Sequence, residues 1–409
     1  MEVTSFRHMA AKLHHSACYM VDAVFERAHS TSKPESLLCF EGGWAATVYR
    51  SWDFPDRILQ AWDELAHQYG DIGIFLESGW FEQWWRAMGQ KGELFVTVVE
   101  QAGRVAGIFP CWIAPGGRVQ ALADGYHYDF LFAESQRERT LDCFIQAVLR
   151  HTNGSAYFHW FPRTSNTPVL LKSRFQKKLI PVGTYACPYA PFIDLATTSW
   201  VEYTVSLHSK LKNNLRKGRK RAEQEGELSF AVITQSHLLN DVMTELFDVE
   251  YRSWKGAQGT AIRCSEDTES LYRGVAQWAM KKGCLYIFTL RLNGRLIAFD
   301  LCVSGGRTLF AMKTGYDQEL AARFSPGNLM RYRLIEYLFQ TEQFDRYDFL
   351  GPFYPWKREW TSQANTSTSV EIYPRTVSGW GAYLRKYGWK EPLRRLPYLD
   401  RVAKKLRGR

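Results

Sequence analysis

Two runs in the C-terminal half of the chain gather residue types that can do chemistry. The first is FAMKTGYDQELAARFSPGNLM, residues 310–330, and the second is YDFLGPFYPWKREW, residues 347–360. In the first, a β-rich stretch ends near Tyr316, a polar loop follows, and Ser325-Pro326 opens a helix. Ser is a good N-cap and Pro a good first helical residue. The start of a helix has unsatisfied N–H groups and the positive end of the dipole. With Arg323 just before it and Gly327 allowing close approach, this is an arrangement that binds phosphate. In the second run Asp348 lies inside an otherwise apolar strand, where an unpaired charge is costly. Either it pairs with Arg333 or Arg346, or it serves as a base. The Gly-Pro loop after it is dense with aromatics and carries Lys357.

These residues are positioned by elements that occur twice. LFVTVVEQAGRVAGIFPCWI (94–113) and LYIFTLRLNGRLIAFDLCVS (285–304) both read as β-hairpins, with Asn293-Gly294 as tight-turn chemistry in the second. A shift of 191 aligns Leu94 with Leu285, Gly103-Arg104 with Gly294-Arg295 and Cys111 with Cys302. A shift of 190 brings Gly125-Tyr126 onto Gly315-Tyr316, and Phe144, Ile145, Val148 and Leu149 onto Leu334, Ile335, Leu338 and Phe339 at helical spacing. The repeated word YDFL, at 128–131 and 347–350, falls outside this register. Its first occurrence belongs to the loop before a helix, its second to the strand after one.

Each copy reads helix, hairpin, third strand, helix, strand, which is an α+β unit around a mixed sheet. In the second copy the pattern predicts helices over 239–252, 269–282 and 326–340. It predicts strands over 285–292, 295–304, 308–316, 346–350 and 368–374. The expected organisation is a loosely attached extension (1–45), a first copy (46–200), a second copy (201–375) and a basic amphipathic tail (376–409). The corresponding helix of the first copy begins near Glu134 and Glu138, which repel phosphate, so the first copy reads as structural and the second as the one equipped for chemistry.

The whole chain narrows the function classes. It has 409 residues, 45% hydrophobic and 15% aromatic, enough for two domain cores. No apolar run approaches the roughly 20 residues of a membrane helix, and the N-terminal 25 residues lack a charged region followed by an apolar block. Eight scattered cysteines without a CxxC pair make neither a zinc site nor a disulfide framework, so no metal is expected and a reducing cytoplasm suits the chain. The net charge is +10. From Arg375 onward eleven Lys/Arg face Glu391 and Asp400, a net +9, so the remainder is nearly neutral and a DNA-binding surface is not expected. In the tail Trp380, Tyr383, Leu384 and Tyr387 recur at helical spacing among Arg385, Lys386 and Lys390. That pattern suits either the inner face of an anionic membrane or packing back onto the second copy.

Five segments in order, SLHSKLKNNLRKGRKRAEQEGELSF (206–230), YRSWKG (251–256), MKTGYD (312–317), FSPGNLM (324–330) and YDFLG with WKREW (347–360), resemble the GNAT acyltransferase superfamily. Within it they are similar to the tandem branch of cellulose-biosynthesis-type acetyltransferases and Fem-type peptidoglycan transferases. The resemblance covers about residues 50–375. It implies tandem GNAT-like domains, each a mixed, mostly antiparallel sheet flanked by helices. It also implies acetyl-CoA, or another acyl-CoA, lying between the strands that end near Tyr316 and Leu350. The pyrophosphate would rest on Arg323, Ser325, Gly327, Asn328 and Leu329, although Pro326 stands where the superfamily's loop has its first Gly.

The mechanism so implied is direct attack of an amine or hydroxyl on the thioester, with a base and an acid to move protons. No His lies in the second copy's strands, only His208 and His237 nearby, so Asp348 or Asp300 is the expected base and Tyr316 the acid. Lys255, Lys313 and Lys357 would position an anionic or polyol acceptor, and Trp254 and Trp356 would line an apolar or sugar-stacking wall. The expected function is N- or O-acyl transfer to a carbohydrate or cell-envelope precursor of polysaccharide biosynthesis. The alternatives are an aminoacyl-tRNA-dependent Fem-type transferase and a non-catalytic assembly subunit. Seven Lys/Arg from Lys210 to Arg221 fit RNA, or the solvated face of a docked helix with Leu207, Leu211 and Leu215 inward. Fem-type enzymes that use tRNA carry a long helical hairpin here, and the 14 residues 225–238 leave no room for one, which counts against tRNA.

Overall fold

Alternating apolar residues and tight turns build most of the strands. In the first copy a hairpin, β1 (Ser36–Phe40) and β2 (Trp44–Tyr49), precedes helices α1 (Asp56–His67) and α2 (Ser78–Met88). Then come β3 (Glu93–Leu94), β4 (Val96–Gln101), β5 (Arg104–Phe109), β6 (Cys111–Ala114), β7 (Arg118–Ala121) and β8 (Leu131–Phe132). Helix α3 (Arg137–His151), β9 (Ala156–Pro162), α4 (Thr167–Lys177) and β10 (Val182–Asp194) complete the copy. The structure, a computed structural model, describes residues 36–123 and 127–388. Residues 36–45, expected in a loose extension, instead form an edge hairpin whose second strand pairs with β4 from Trp44 to Tyr49. Three buried residues, Trp44, Ala46 and Val48, hold that strand on the core. Residues 1–35 of the expected extension lie outside the described part.

The second copy opens with α5 (Trp200–Ser206) and α6 (Ser209–Glu225), then β11 (Leu228–Ile233), α7 (Leu239–Tyr251), α8 (Trp254–Ala257) and α9 (Glu266–Lys281). The strands β12 (Leu285–Leu292), β13 (Arg295–Gly305) and β14 (Thr308–Tyr316) follow as an antiparallel meander. After α10 (Ala321–Phe324) and α11 (Pro326–Thr341) come β15 (Arg346–Asp348), α12 (Pro355–Arg358), β16 (Ala364–Ile372) and α13 (Val377–Tyr387). The duplication read from the sequence is therefore present as matching elements. β4 answers to β12, β5 and β6 to β13, β7 to β14, α3 to α11, β9 to β15 and β10 to β16. The last two strands differ from expectation at their ends: β15 stops at Asp348 and β16 spans 364–372.

Among the described residues the strands make two sheets. One has the order β1-β2-β4-β5-β8, and the other runs β11-β12-β13-β14-β15-β10-β16-β9-β7-β6-β3. The larger one shows how the copies are joined. β10, the last strand of the first copy, pairs with β15, and β16, the last of the second, pairs with β9. Each copy thus lends its final strand to the other, and β10 and β16 pair along most of their length. The boundary expected near residue 200 separates the copies along the chain but not across the sheet.

Successive residues of a strand face opposite sides, so this sheet divides the core. Phe299, Leu301, Val303 and Phe310 face the cluster that includes the first copy. Ala298, Cys302, Leu309 and Tyr347 face a second cluster under α5, α6 and α11. On α6 the buried Leu211, Leu215, Gly218 and Ala222 follow the spacing of one helical face. A Cβ at Gly218 would lie 2.3 Å from the Phe324 carbonyl oxygen, so only glycine lets α6 lie this close to the loop before α11. Among the described residues no helix is long and apolar enough to cross a membrane.

Candidate functional site

The sheet opens where β14 and β15 part company. They run parallel and pair only at Thr308↔Arg346, Leu309↔Tyr347 and Phe310↔Asp348. β14 continues to Tyr316 while the other chain leaves at Leu350 and Gly351, both in the left-handed region (φ 48° and 60°). A gap results, walled by the second half of β14 on one side and the Gly351 loop with α12 on the other. Along β14 the register against β13 skips between Lys313 and Ala311. The extra residue, Met312, makes a β-bulge, a device that re-aims strand groups beside functional sites.

The start of α11 borders this gap, with changes from what its sequence implied. Ser325 does not cap the helix with its side chain; it is itself left-handed (φ 53°), and its hydroxyl donates to the Ala321 carbonyl at 3.4 Å. A left-handed residue without glycine is strained and is held by its surroundings. The Asn328 and Leu329 amides donate back to the Ser325 carbonyl. Gly327 faces Tyr316: a Cβ there would meet the ring at 3.0 Å. The Arg323 guanidinium, expected on a pyrophosphate, is ion-paired with Glu225 of α6 and lies over the Phe324 ring. Tyr316 is half-buried, and burial raises its pKa above the ordinary phenol value.

Asp300, one of the two expected bases, is taken out of contention by its partners. It is completely buried, with both oxygens accepting from the Arg331 guanidinium (2.8 and 2.9 Å) and one also from the Tyr347 hydroxyl (2.9 Å). Arg331 also donates to Thr314 Oγ1 and lies 4.6 Å from the centre of the Trp356 ring. Burial opposes the charge on Arg331, but Asp300 outweighs it and keeps the guanidinium protonated. This is a buried, fully bonded pair under α11, and its role is to hold the helix and the Trp356 loop to the sheet.

On the opposite face Lys255 and Lys313 converge on Glu250, a carboxylate with no exposure. Lys255 Nζ donates to it at 2.6 Å and to the Thr314 carbonyl at 2.9 Å, while Lys313 stands 3.8 Å away over the Tyr272 ring. Burial pushes Glu250 toward protonation, yet Lys313 and Lys255 prevail and hold its pKa below the usual value. For Lys255 burial wins over Glu250, and its pKa is lowered. Two of the expected substrate lysines thus do come together. Trp254, beside them in sequence, is exposed on α8.

Lys357, across the gap, is buried, and its Nζ donates to the carbonyls of Phe349, Leu350 and Pro352. Burial, with Arg331 nearby, pulls its pKa down to about 7, against the opposing pull of Asp348. Trp356 is partly exposed and packs edge-on against Phe349.

Asp348 pairs with neither Arg333 nor Arg346. Arg333 goes to Glu336, and Arg346 stacks on Phe192. Asp348 is 2% exposed, accepts from the Leu350 amide (2.7 Å) and the Asn365 side chain (3.3 Å), and lies 3.7 Å from His127 Nε2. That histidine belongs to the first copy, and attention to the second copy's strands missed it. The only signal was the 190-residue register, which places His127 directly after Gly125-Tyr126, the counterpart of Gly315-Tyr316.

The basic helix is docked as expected, but its charged face is not merely solvated. Lys212, Arg216, Arg219 and Lys220 line a groove of about 510 Å³ against Leu329, Tyr332 and Arg333 of α11. Among the described residues no group of His, Cys, Asp and Glu is arranged to hold a metal.

A parallel strand pair, one member of it bulged, thus splays beside a helix start. Residues 209–358 match the sequence family of the acetyltransferase (GNAT) domain, and this part of the chain is such a domain. No curated protein sequence matches the chain. Of solved structures, FemX is similar over 76% of this chain and 95% of its own, at 10% identity and a TM-score of 0.51. The C-terminal domain of a putative lysylphosphatidylglycerol synthetase from Agrobacterium fabrum is similar over 81% and 96%, at 12% identity and a TM-score of 0.49. A tandem GNAT protein from the clavulanic acid biosynthesis pathway is similar over 80% and 98%, at 13% identity and a TM-score of 0.47. At 10% identity the likeness to FemX is one of fold, and fold does not carry a substrate.

Proposed function

We propose that the protein is an acyl-CoA-dependent acyltransferase, with acetyl-CoA as the simplest donor, acting on an amine or hydroxyl. The observation that carries this reading is the gap between β14 and β15 inside a GNAT domain, with Gly327 packed on Tyr316 at the helix start beside it. The donor's reactive arm fits the gap, and its phosphates fit the α11 start and the basic groove of Lys212, Arg216, Arg219 and Lys220. The Met312 bulge re-aims backbone toward the carbonyl that gains negative charge. Tyr316, its phenol held protonated by burial, is suited to return a proton to the departing thiolate. The sequence resemblance points to a carbohydrate or cell-envelope precursor as acceptor.

The chain from 225 to 238 holds only β11 and a single 3-10 turn (Ser236–Leu238), with no helical hairpin of the kind expected for an aminoacyl-tRNA donor. Calorimetry tests the donor. The parent should bind acetyl-CoA and release thiol slowly without acceptor, and Gly327→Asp, which adds bulk against Tyr316 and a negative charge at the helix start, should abolish binding. A parent that ignores acetyl-CoA ends this reading.

A further inference from the structure

Phe310 and Asp348, the last pair before the gap, also border a cavity of about 320 Å³ on the side of the sheet that faces the first copy. Nothing in the donor site accounts for it. Its lining comes from both copies, with Asp71, His127, Arg163 and Thr164 on one side and Thr308, Arg346, Asp348, Asn365 and Ser367 on the other. The polar groups are fixed before any ligand arrives. Asp348 is oriented by the Leu350 amide and Asn365, and Asp71 by Thr308 Oγ1 (2.5 Å) and the Arg307 amide (3.4 Å). The His127 ring is packed by Phe75 and Phe310, at centroid distances of 6.1 and 5.9 Å. The imidazole, 6% exposed, stands 3.7 Å from the Asp348 carboxylate, beyond direct hydrogen-bond distance.

The chemistry of the walls selects a ligand. Two carboxylates and an imidazole receive an amine. Thr308, Asn365 and Ser367 suit hydroxyl groups, and the guanidiniums of Arg163 and Arg346 take an anion. We propose that this cavity is the acceptor site, that it takes a hydroxylated amine bearing a phosphate or carboxylate, such as an anionic amino sugar, and that His127 is the base supplied by the first copy. The proposal rests on the acyl-transfer reading above. In the step, the lone pair of the neutral amine attacks the thioester carbonyl carbon. The C–N bond forms, the C–S bond breaks, and the sulfur leaves with its electron pair. The proton released by nitrogen passes to His127, whose imidazolium is steadied by Asp348. Tyr316 gives its phenolic proton to the thiolate, and solvent carries the His127 proton back to the phenolate, leaving amide, thiol and both side chains as they began.

The test uses the full chain and three probes: glucosamine 6-phosphate, muramic acid, which carries a carboxylate, and unmodified glucosamine. With acetyl-CoA, at least one anionic probe should support saturable thiol release. His127→Gln should lower kcat by about 100-fold with acetyl-CoA binding unchanged. Arg163 is exposed, so Arg163→Glu is safe for folding. It should raise KM for the anionic probe by about tenfold or more, and Arg163→Lys, which keeps the charge, should raise it less. Which anionic probe responds distinguishes phosphate from carboxylate. A protein that binds acetyl-CoA but answers to neither anionic probe overturns the proposal, as does His127→Gln at full rate. Calorimetry with the probes alone separates this failure from failure of the donor reading. Probe binding that Arg163→Glu weakens supports the cavity even if acetyl-CoA does not bind, and no probe binding rejects it.

Discussion

The two copies fold alike and spend the same location differently. In the second, Asp300 on β13 faces Arg331 on α11. Their counterparts in the 190–191-residue register are Phe109 and Leu141. Where the second copy has a buried ion pair beside an open gap, the first has a solid aromatic core. Phe109 stacks on Phe144 at 4.1 Å, with Phe130, Phe132, Phe158 and Phe161 packed around them. The third strand shrinks from the nine residues of β14 to the four of β7. The strand matching β13 is cut in two at Pro110, which has no N–H for a ladder. The first copy thus fills with aromatic core the place where the second keeps a buried ion pair, and at the seam it contributes Asp71, His127 and Arg163 to the cavity proposed above.

The largest effect expected from this comparison is at the ion pair. Arg331→Leu leaves Asp300 buried without its cation and should destabilise the protein by about 3–5 kcal/mol in chemical denaturation. Making the site apolar, with Asp300→Phe and Arg331→Leu as in the first copy and Tyr347→Phe to remove the hydroxyl that loses its acceptor, should recover most of that loss. It should not recover thiol release, because Arg331 also holds Trp356 and the loop that walls the gap. If the triple variant is less stable than the single one, the two copies are not interchangeable at this position.

A smaller effect concerns Lys357, on the short helix α12, where the first copy has the longer α4. Its pKa is about 7 in the fold and 10.5 ordinarily, so between these values the unfolded chain binds a proton that the native protein does not. Stability therefore gains a contribution as pH rises from 7 to 10.5. Lys357→Met should flatten that rise, measured as the difference between the denaturation midpoints of parent and variant across the window. A parallel pair of curves would show that the three carbonyls around Nζ keep the ammonium charged.

Much of this was legible in the chain. The hairpin turns, the apolar runs of β12–β14 and the helix expected over 326–340 all follow from local pattern, because turn chemistry and residue type are local. The duplication was legible because apolar positions repeat even where chemistry diverges. What stayed hidden depends on contacts between distant segments. The exchange of β10 and β16 cannot be read from either strand alone. His127 meets Asp348 across 221 positions of sequence. Ser325 reads as an N-cap by type, but its backbone is left-handed (φ 53°), directly after Phe324, whose carbonyl lies close to Gly218 of α6. The sequence pattern of the tail at Tyr383 and Tyr387 was equally ambiguous. The helix itself packs these residues back, with Tyr383 buried and the Tyr387 hydroxyl donating to Glu371 at 3.0 Å, while residues 389–409 of the tail lie outside the described part.

The smallest effect sharpens the comparison at the exchanged strands, each of which is followed by a capped helix. After β10, Ser199 caps α5 in a reciprocal box: its hydroxyl accepts from the Glu202 amide (3.2 Å), and the Glu202 carboxylate accepts from the Ser199 amide (2.8 Å). After β16, Thr376 caps α13 through the Gly379 amide alone (3.0 Å). Thr376→Ala should therefore cost about 1 kcal/mol, and Ser199→Ala more, because the Ser199 hydroxyl both accepts from the Glu202 amide and donates to the Glu202 carboxylate (2.9 Å). The excess has a pH signature. The hydrogen bonds from Ser199 lower the pKa of Glu202 below its ordinary 4.5, so the contribution of the box is complete above that value and fades as pH falls through the native pKa. Urea denaturation of both variants at neutral pH and at about pH 3 should show the gap between them closing in acid. A gap that stays constant would mean that the bond from the Ser199 hydroxyl to the Glu202 carboxylate contributes nothing to it.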